Sequence, residues 1–325
     1  MNKNDILEEF DKNKSLYDSL CSKTEQLIKE LLNANGIVVH YISYRTKDRT
    51  KLRDKIVRKG NKYSSLNEIT DVAGIRIITN FAEDVNKVAE IIKLEFDIDL
   101  DNTIDKRNHA EDKFGYMSMH YVVSMLKNRL KFTEYKPYKD LKIEIQIRSI
   151  LQHGWAEIEH DLGYKGAKGI PSEFKRDFNR ISALLETADK EFDRLREELS
   201  SYNTQVIKDI TLKPEEFNIN NSTLYQFLEQ NKSLKELNLK IANFYNVDLN
   251  DNLQDINFGE LSEKLKLQGI KTINELNNLL EKNKDSVINN FSKVANYYGN
   301  TSSNVSGVDR SVGLHSIVDW ININV

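Results

Sequence analysis

The chain has 325 residues, 39% hydrophobic and 30% charged, with a formal net charge of -3. It is therefore long enough for two domains and apolar enough for a core, and it exerts no global attraction on nucleic acid. One cysteine, Cys21, excludes an internal disulfide and a cysteine-based metal site and fits a reducing compartment. No stretch reaches the ~20 consecutive apolar residues of a membrane span, and the N-terminal MNKNDILEEFDKNKSL has no apolar signal-peptide core, so a cytoplasmic location is expected.

In chain order, residues 5–33 carry Leu7, Phe10, Tyr17, Leu20, Leu27 and Leu31 at helical spacing, and Gly36 ends that helix. Ile37–Ser43 reads as a strand and the basic run over residues 45–59 as a helix. Asp71–Thr79, His120–Met125 and Lys142–Arg148 read as strands, with a helix over Asp84–Glu95. This alternation predicts an α+β fold with helices packed on a mixed sheet. After Pro171, Phe174, Phe178, Ile181, Leu185, Ala188, Phe192, Leu195 and Leu199 alternate four and three apart. That spacing fits a long helix lying along the sheet domain, or a self-association helix. Asn203–Asn221, with Pro214, reads as a linker, and Thr301–Gly307 as a turn or loop. Between them lie two helical clusters. One holds Leu224, Phe227, Leu228, Leu234, Leu237, Leu239 and Phe244; the other holds Leu261, Leu265, Ile270, Ile273, Leu276, Leu279 and Leu280. The expected organisation is one domain over 1–200 and a helical module of unassigned role over 201–325.

Four segments carry residues suited to chemistry. The run YRTKDRTKLRDKIVRK brings Arg45, Lys47, Lys51, Lys55 and Arg58 towards one region, which suits a polyphosphate or a plain solvated helix face. DVAGIR opens a buried strand with Asp71 and puts Arg76 on it. A strand Arg needs a partner, either an internal acid or a bound phosphate, and Asp71 is a hard donor suited to Mg²⁺. KFGYMSMH offers Lys113, Tyr116 and His120 beside a flexible Gly115; the ring suits stacking on a base or packing under a loop. EIQIRSILQHGWAEIEHDLGYK alternates, so Glu144, Gln146 and Arg148 share one strand face and Ile143, Ile145 and Ile147 the other. His153, Trp155, Glu157, Glu159 and His160 follow.

The order of these segments resembles the synthetase domain of the RelA/SpoT-type alarmone synthetases over about residues 37–165: a basic run, D-x-A-G-x-R, G-Y-x-S-x-H, then E-I-Q-I-R with W-A-E-x-E-H-x-L-x-Y-K. The resemblance implies a nucleotidyltransferase-like fold and transfer of pyrophosphate from ATP to the 3′-hydroxyl of GDP or GTP with Mg²⁺. It assigns Arg45, Lys47, Lys55, Arg58 and Arg76 to ATP and Asp71 to the metal. Glu144 becomes the metal ligand or base, and Lys113, Tyr116, His120, Gln146, Arg148 and His153 line the acceptor side. Only about 35 residues precede the matching segment, too few for a hydrolase domain, so a small stand-alone synthetase is expected. Met117 stands where the family usually has Arg, which leaves other acceptors open: an adenine nucleotide or the tRNA 3′ end, as in growth-arresting relatives. A non-catalytic nucleotide sensor is the third reading. A homo-oligomer through residues 173–199 is a further expectation.

Overall fold

A computed structural model describes residues 3–60, 62–105, 118–164, 171–245, 248–250, 256–297 and 308–324. Two compact units divide the chain, Met1–Arg196 and Glu197–Val325. The strands of the first unit are β1 (Val39–Thr46), β2 (Ala73–Thr79), β3 (Phe96–Ile98), β4 (Ile104–Asp105), β5 (Met119–Met125) and β6 (Ile143–Ser149). They form one mixed sheet in the order β1-β2-β6-β5-β3, with β4 paired to β5. β2 and β6 run parallel and every other pair antiparallel.

The alternation along β6 fixes the two faces of the sheet. Ile143, Ile145 and Ile147 are fully buried and join Ile75, Ile77, Tyr121 and Val123 in one core. Phe10, Leu20 and Ile28 of α1 (Lys3–Ala34) and Val88 and Ile92 of α3 (Ala82–Glu95) cover that face. Each buried isoleucine contributes roughly 1.5–3 kcal/mol. A one-residue slip would drive Glu144, Gln146 and Arg148 into the core instead, so the register is strongly specified.

The basic helix expected over 45–59 begins later, as α2 (Arg49–Lys59). Asp48 caps it, its carboxylate accepting from the backbone N–H groups of Thr50 and Lys51 at 2.8 and 3.3 Å. Arg45 thus belongs to β1, and Lys47 follows the strand end. The short β3 and β4 were not foreseen, because two or three residues carry no readable period. From β6 the chain passes directly into α4 (Ile150–Tyr164) and later into α5 (Lys175–Asp209).

α5 corrects the expected linker over 203–221, since the helix runs to Asp209. Val206 and Ile210 are buried in the second unit's core, and the polar run before them, including Asn203, Thr204 and Gln205, hid the helical period. A 3₁₀ turn over Pro214–Glu216 and α6 (Asn221–Gln230) follow. The second unit continues with α7 (Lys232–Tyr245), β7 (Leu249–Asn250), α8 (Phe258–Leu267), α9 (Ile273–Tyr297), β8 (Val308–Asp309) and α10 (Val312–Asn324). The two apolar clusters of the sequence merge into one core with Leu314 and Ile317. Leu239 and Phe244 are exceptions and lie exposed. Residues 301–307 lie outside the described residues. No helix among the described residues is long and apolar enough to cross a membrane.

Candidate active site

The sheet face opposite the core is polar, and pairing between strands brings its side chains together. Gly74 lies opposite both Arg45 and Glu144, Arg76 opposite Ser43 and Gln146, and His120 opposite Gln146. A cleft of about 120 Å³ opens there, lined by Arg45, Asp71, Gly74, Arg76, Glu144 and Gln146 together with Ser43, Tyr44 and Ile75. A Cβ on Gly74 would meet Arg45 and the Glu144 carbonyl at 3.8–3.9 Å, an ordinary contact. Glycine is thus tolerated rather than demanded by the backbones, and its missing side chain leaves the cleft floor open.

Asp71 sits at the mouth of β2 and binds two lysines, Lys47 at 2.9 Å and Lys55 at 2.7 Å. Burial works against its charge, but hydrogen bonds from Lys55 and Lys47 outweigh it and hold the carboxyl below the usual aspartate range. Lys55 also lies 5.8 Å from the centre of the Tyr63 ring. Arg58, the other phosphate-binding candidate on α2, is exposed and does not line the cleft. The internal partner of Arg76 is Glu157 on α4, at 3.2 Å, and not Asp71.

Glu144 is gripped from two sides. Gln146 Nε2 donates to its Oε2 at 2.8 Å, and His120 Nδ1 lies 3.4 Å from its Oε1. Burial raises its pKa and the nearby charge of Asp71 adds to that, yet the His120 and Gln146 contacts win and the group sits below the ordinary glutamate range. His120 Nε2 faces Ser118 Oγ at 3.0 Å and Arg148 Nη2 at 3.2 Å. Arg148 has only donors, so Nε2 accepts and the proton belongs on Nδ1, facing Glu144. Arg148 is half-buried, and its Nε has no hydrogen-bond partner among the described residues. Burial, then the charge of Arg76, pulls its pKa down. A guanidinium this poorly partnered suits an anionic ligand.

His153 lies one step removed from the cleft. Its Nε2 is 2.7 Å from the Tyr41 hydroxyl and its Nδ1 is 3.6 Å from Glu157. Burial and then Arg76 push its pKa down, against the pull of Glu157. The structure therefore joins Arg45, Asp71, Arg76, Glu144 and Gln146 in one cleft. It attaches Lys47 and Lys55 through Asp71, His120 through Glu144, Arg148 through His120, and His153 through Glu157 and Arg76. Lys113, Tyr116 and Met117 lie outside the described residues. Tyr41 and Ser43 were not singled out from the sequence, and Ser118 and Glu157 appeared there only within motifs, with no role assigned. Parity with Arg45 along β1 signals the first two, and the i,i+4 spacing from His153 signals Glu157.

The family model described as a region found in RelA / SpoT proteins matches residues 44–169, which hold every cleft-lining residue but Ser43. GTP pyrophosphokinase YjbM of Bacillus subtilis (strain 168) is 30% identical over 163 residues, covering 50% of this chain and 74% of that protein. The chain belongs to the RelA/SpoT family. A second RelA/SpoT relative, GTP pyrophosphokinase YwaC of the same organism, is 27% identical over 187 residues, 56% of this chain and 86% of its own. Small alarmone synthetase 1 of B. subtilis superposes with a TM-score of 0.50 at 25% identity, over 59% of this chain and 98% of its own. The same enzyme bound to its product pppGpp gives a TM-score of 0.50 at 25% identity, with 59% and 99% covered.

Proposed function

We propose that this chain transfers a pyrophosphoryl group from ATP to the 3′-hydroxyl of GDP or GTP, making the alarmone (p)ppGpp. The observation that carries the reading is the cleft floor, where two ionised carboxylates, Asp71 and Glu144, stand among Arg45, Arg76 and two lysines. A relative that makes pppGpp as its product, with a matching fold, supports the same substrates.

In this reading Arg45, Arg76, Lys47 and Lys55 receive ATP, with Arg58 exposed on α2. Asp71 holds the two lysines in place before the nucleotide arrives, which lowers the ordering cost of binding. Glu144, ionised and accepting only, takes the proton of the acceptor hydroxyl as its oxygen bonds to the β-phosphorus. The bond from that phosphorus to the bridging oxygen breaks and AMP leaves. His120 and Gln146 fix the direction of the Glu144 carboxylate, and Arg148 faces the charge that gathers on the transferred group. His120, Gln146, Arg148 and His153 form the acceptor side.

Mg²⁺ fits the donors present. Asp71 and Glu144 offer hard oxygens held ionised on one cleft, and among the described residues no group of three His, Cys, Asp or Glu forms a full protein cage. That matches an ion held by one or two carboxylates plus substrate phosphates. Bound there, Mg²⁺ would neutralise charge on the phosphoryl oxygens.

The test is purified protein with ATP, Mg²⁺ and GDP or GTP, followed by anion-exchange separation. AMP and a 3′-pyrophosphorylated guanine nucleotide are expected in equal amounts, and Glu144→Gln should lower the rate at least ~100-fold. Turnover of ATP with no guanine product, or no turnover at all, overturns the reading.

A further inference from the structure

Four side chains from three elements form a line that ends in the cleft. Tyr41 comes from β1, Arg76 from β2, and His153 and Glu157 from one face of α4. The Tyr41 hydroxyl lies 2.7 Å from His153 Nε2, and the two rings meet edge to face with 5.9 Å between centres. His153 Nδ1 lies 3.6 Å from Glu157 Oε1. The same oxygen lies 3.2 Å from Arg76 Nη1. Of the four, Arg76 lines the cleft.

Electrostatics gives the line a direction. Burial and the charge of Arg76 push the His153 pKa down, so at neutral pH the ring carries a single N–H. With that proton on Nε2, the lone pair of Nδ1 would face a carboxylate oxygen. With it on Nδ1, the N–H turns its positive end to Glu157, and Nε2 accepts from the Tyr41 hydroxyl. The second tautomer suits both ends. Nδ1 is buried and has no hydrogen-bond partner among the described residues, so its N–H is drawn to the acid it faces.

We propose that Tyr41 and Glu157 are positioning residues for Arg76. The hydroxyl fixes the His153 tautomer, the imidazole steadies the Glu157 carboxylate, and the carboxylate sets the direction of the guanidinium before ATP arrives. This rests on the reading of the cleft as an ATP site. Glu157 is 53% exposed, and an acid that open to water holds an arginine weakly by itself. His153, only 17% exposed, gives it a fixed neighbour. A free arginine loses much rotamer freedom when it takes a ligand, and ordering it beforehand lowers that cost. Glu157 engages the guanidinium at Nη1, and the rest of the fork has further donors for a ligand.

Calorimetric titration of the full chain with ATP tests this. Glu157→Gln keeps the shape and removes the charge, and should raise the ATP dissociation constant roughly 3–10-fold. In an Arg76→Gln background the same substitution should change it less than ~2-fold, because Glu157 acts through Arg76. In turnover, KM for ATP should rise more than kcat falls. Tyr41→Phe removes only the hydroxyl and should weaken ATP in the same sense. Added to Glu157→Gln it should cost nothing more, a second test of the line where Arg76→Gln binds ATP too weakly to measure. Heteronuclear NMR of the imidazole nitrogens should show the Nδ1–H tautomer of His153 in the native chain and a mixture in Tyr41→Phe. Equal losses in both Arg76 backgrounds overturn the proposal, as do additive losses from Tyr41 and Glu157 or a native proton on Nε2. Unchanged or tighter ATP binding by Glu157→Gln overturns it too, tightening being the mark of a mere competitor for Arg76. Each of these leaves pyrophosphoryl transfer standing if the native chain makes the guanine product. The expected coupling without that product overturns the transfer reading alone, and a native chain that binds no ATP removes both.

Discussion

Arg148→Met separates the cost of the site from its use. The guanidinium is half-buried, makes a hydrogen bond to His120 at 3.2 Å, leaves Nε without a partner, and feels the charge of Arg76. Methionine keeps much of the length and removes the charge. Burying a poorly partnered polar group costs roughly 1–3 kcal/mol, and the lost His120 contact returns about 1 kcal/mol of that. The net is a gain of about 1 kcal/mol, which raises the melting temperature of a unit this size by roughly 2–4 °C. Catalysis should move the other way. In the proposed reading Arg148 gives charge-assisted hydrogen bonds to the transferred phosphates, each worth about 1.5–3 kcal/mol, and losing two of them would lower kcat/KM at least ~100-fold. The assays are differential scanning calorimetry and AMP release on the same preparation. A melting temperature lowered by more than a degree would refute the reasoning, because Arg148 would then be part of what holds the sheet together. Unchanged kcat/KM would remove it from the site.

Asp71→Asn leaves Lys47 and Lys55 facing each other without a counter-charge, and should cost about 1–2 kcal/mol at pH 7, between the values for exposed and buried pairs. The Asp71 carboxyl is depressed in the fold, so its stabilisation is complete above the ordinary aspartate value of 3.8 and lost as pH falls through the lower folded value. Urea midpoints of the two proteins should differ at pH 7 and converge below pH 3.8; a constant gap would refute the ion pair. His153 is also depressed below the ordinary value of 6.5, with Tyr41, Glu157, Arg76, Arg148 and His40 around it. Its contribution is full above pH 6.5 and lost as pH falls through its folded value, so His153→Gln should be less sensitive to acid between pH 7 and 5. An NMR titration that places His153 at or above 6.5 contradicts this. In the second unit, a Cβ on Gly313 would lie 2.5 Å from Asn238 Oδ1 and 2.9 Å from Leu234 Cδ1. Gly313→Ala should therefore cost about 1–3 kcal/mol, seen as a lower urea midpoint, and an unchanged midpoint would mean that α7 and α10 give way freely.

The strand β6 was legible because a period of two is unambiguous. Ile143, Ile145 and Ile147 cannot face water together, so Glu144, Gln146 and Arg148 had to share the other face. The same arithmetic applied to β1 would have added Tyr41 and Ser43 to Arg45. What stayed hidden were contacts set by tertiary pairing. Arg76 was expected to find Asp71 or a ligand, because Asp71 is near it in sequence. The fold instead turns Asp71 to Lys47, just past the end of β1, and to Lys55 of α2, and brings Glu157 of α4 to Arg76. The helix through residues 203–209 was hidden for a different reason. Polar residues such as Asn203 and Gln205 dominate its composition, and only Val206 and Ile210 mark the buried stripe. Composition averages over faces, whereas burial selects one.

The pairing of cations with the site's own acids bears on how a nucleotide would enter. Lys47 and Lys55 rest on Asp71 and Arg76 rests on Glu157, so an arriving polyphosphate competes with carboxylates already in place. In the proposed reading the exchange would be favourable, because a triphosphate offers several charges to cations that one aspartate holds, and because Asp71, relieved of a lysine, would have a free oxygen to offer a divalent ion. Nucleotide and ion should therefore bind with mutual support rather than independently. Measured by calorimetry, ATP affinity should rise with Mg²⁺ in the native chain, and that enhancement should largely vanish in Asp71→Asn even where ATP alone binds as well or better. An equal enhancement in both proteins would mean that the ion travels with the nucleotide and Asp71 serves only the lysines.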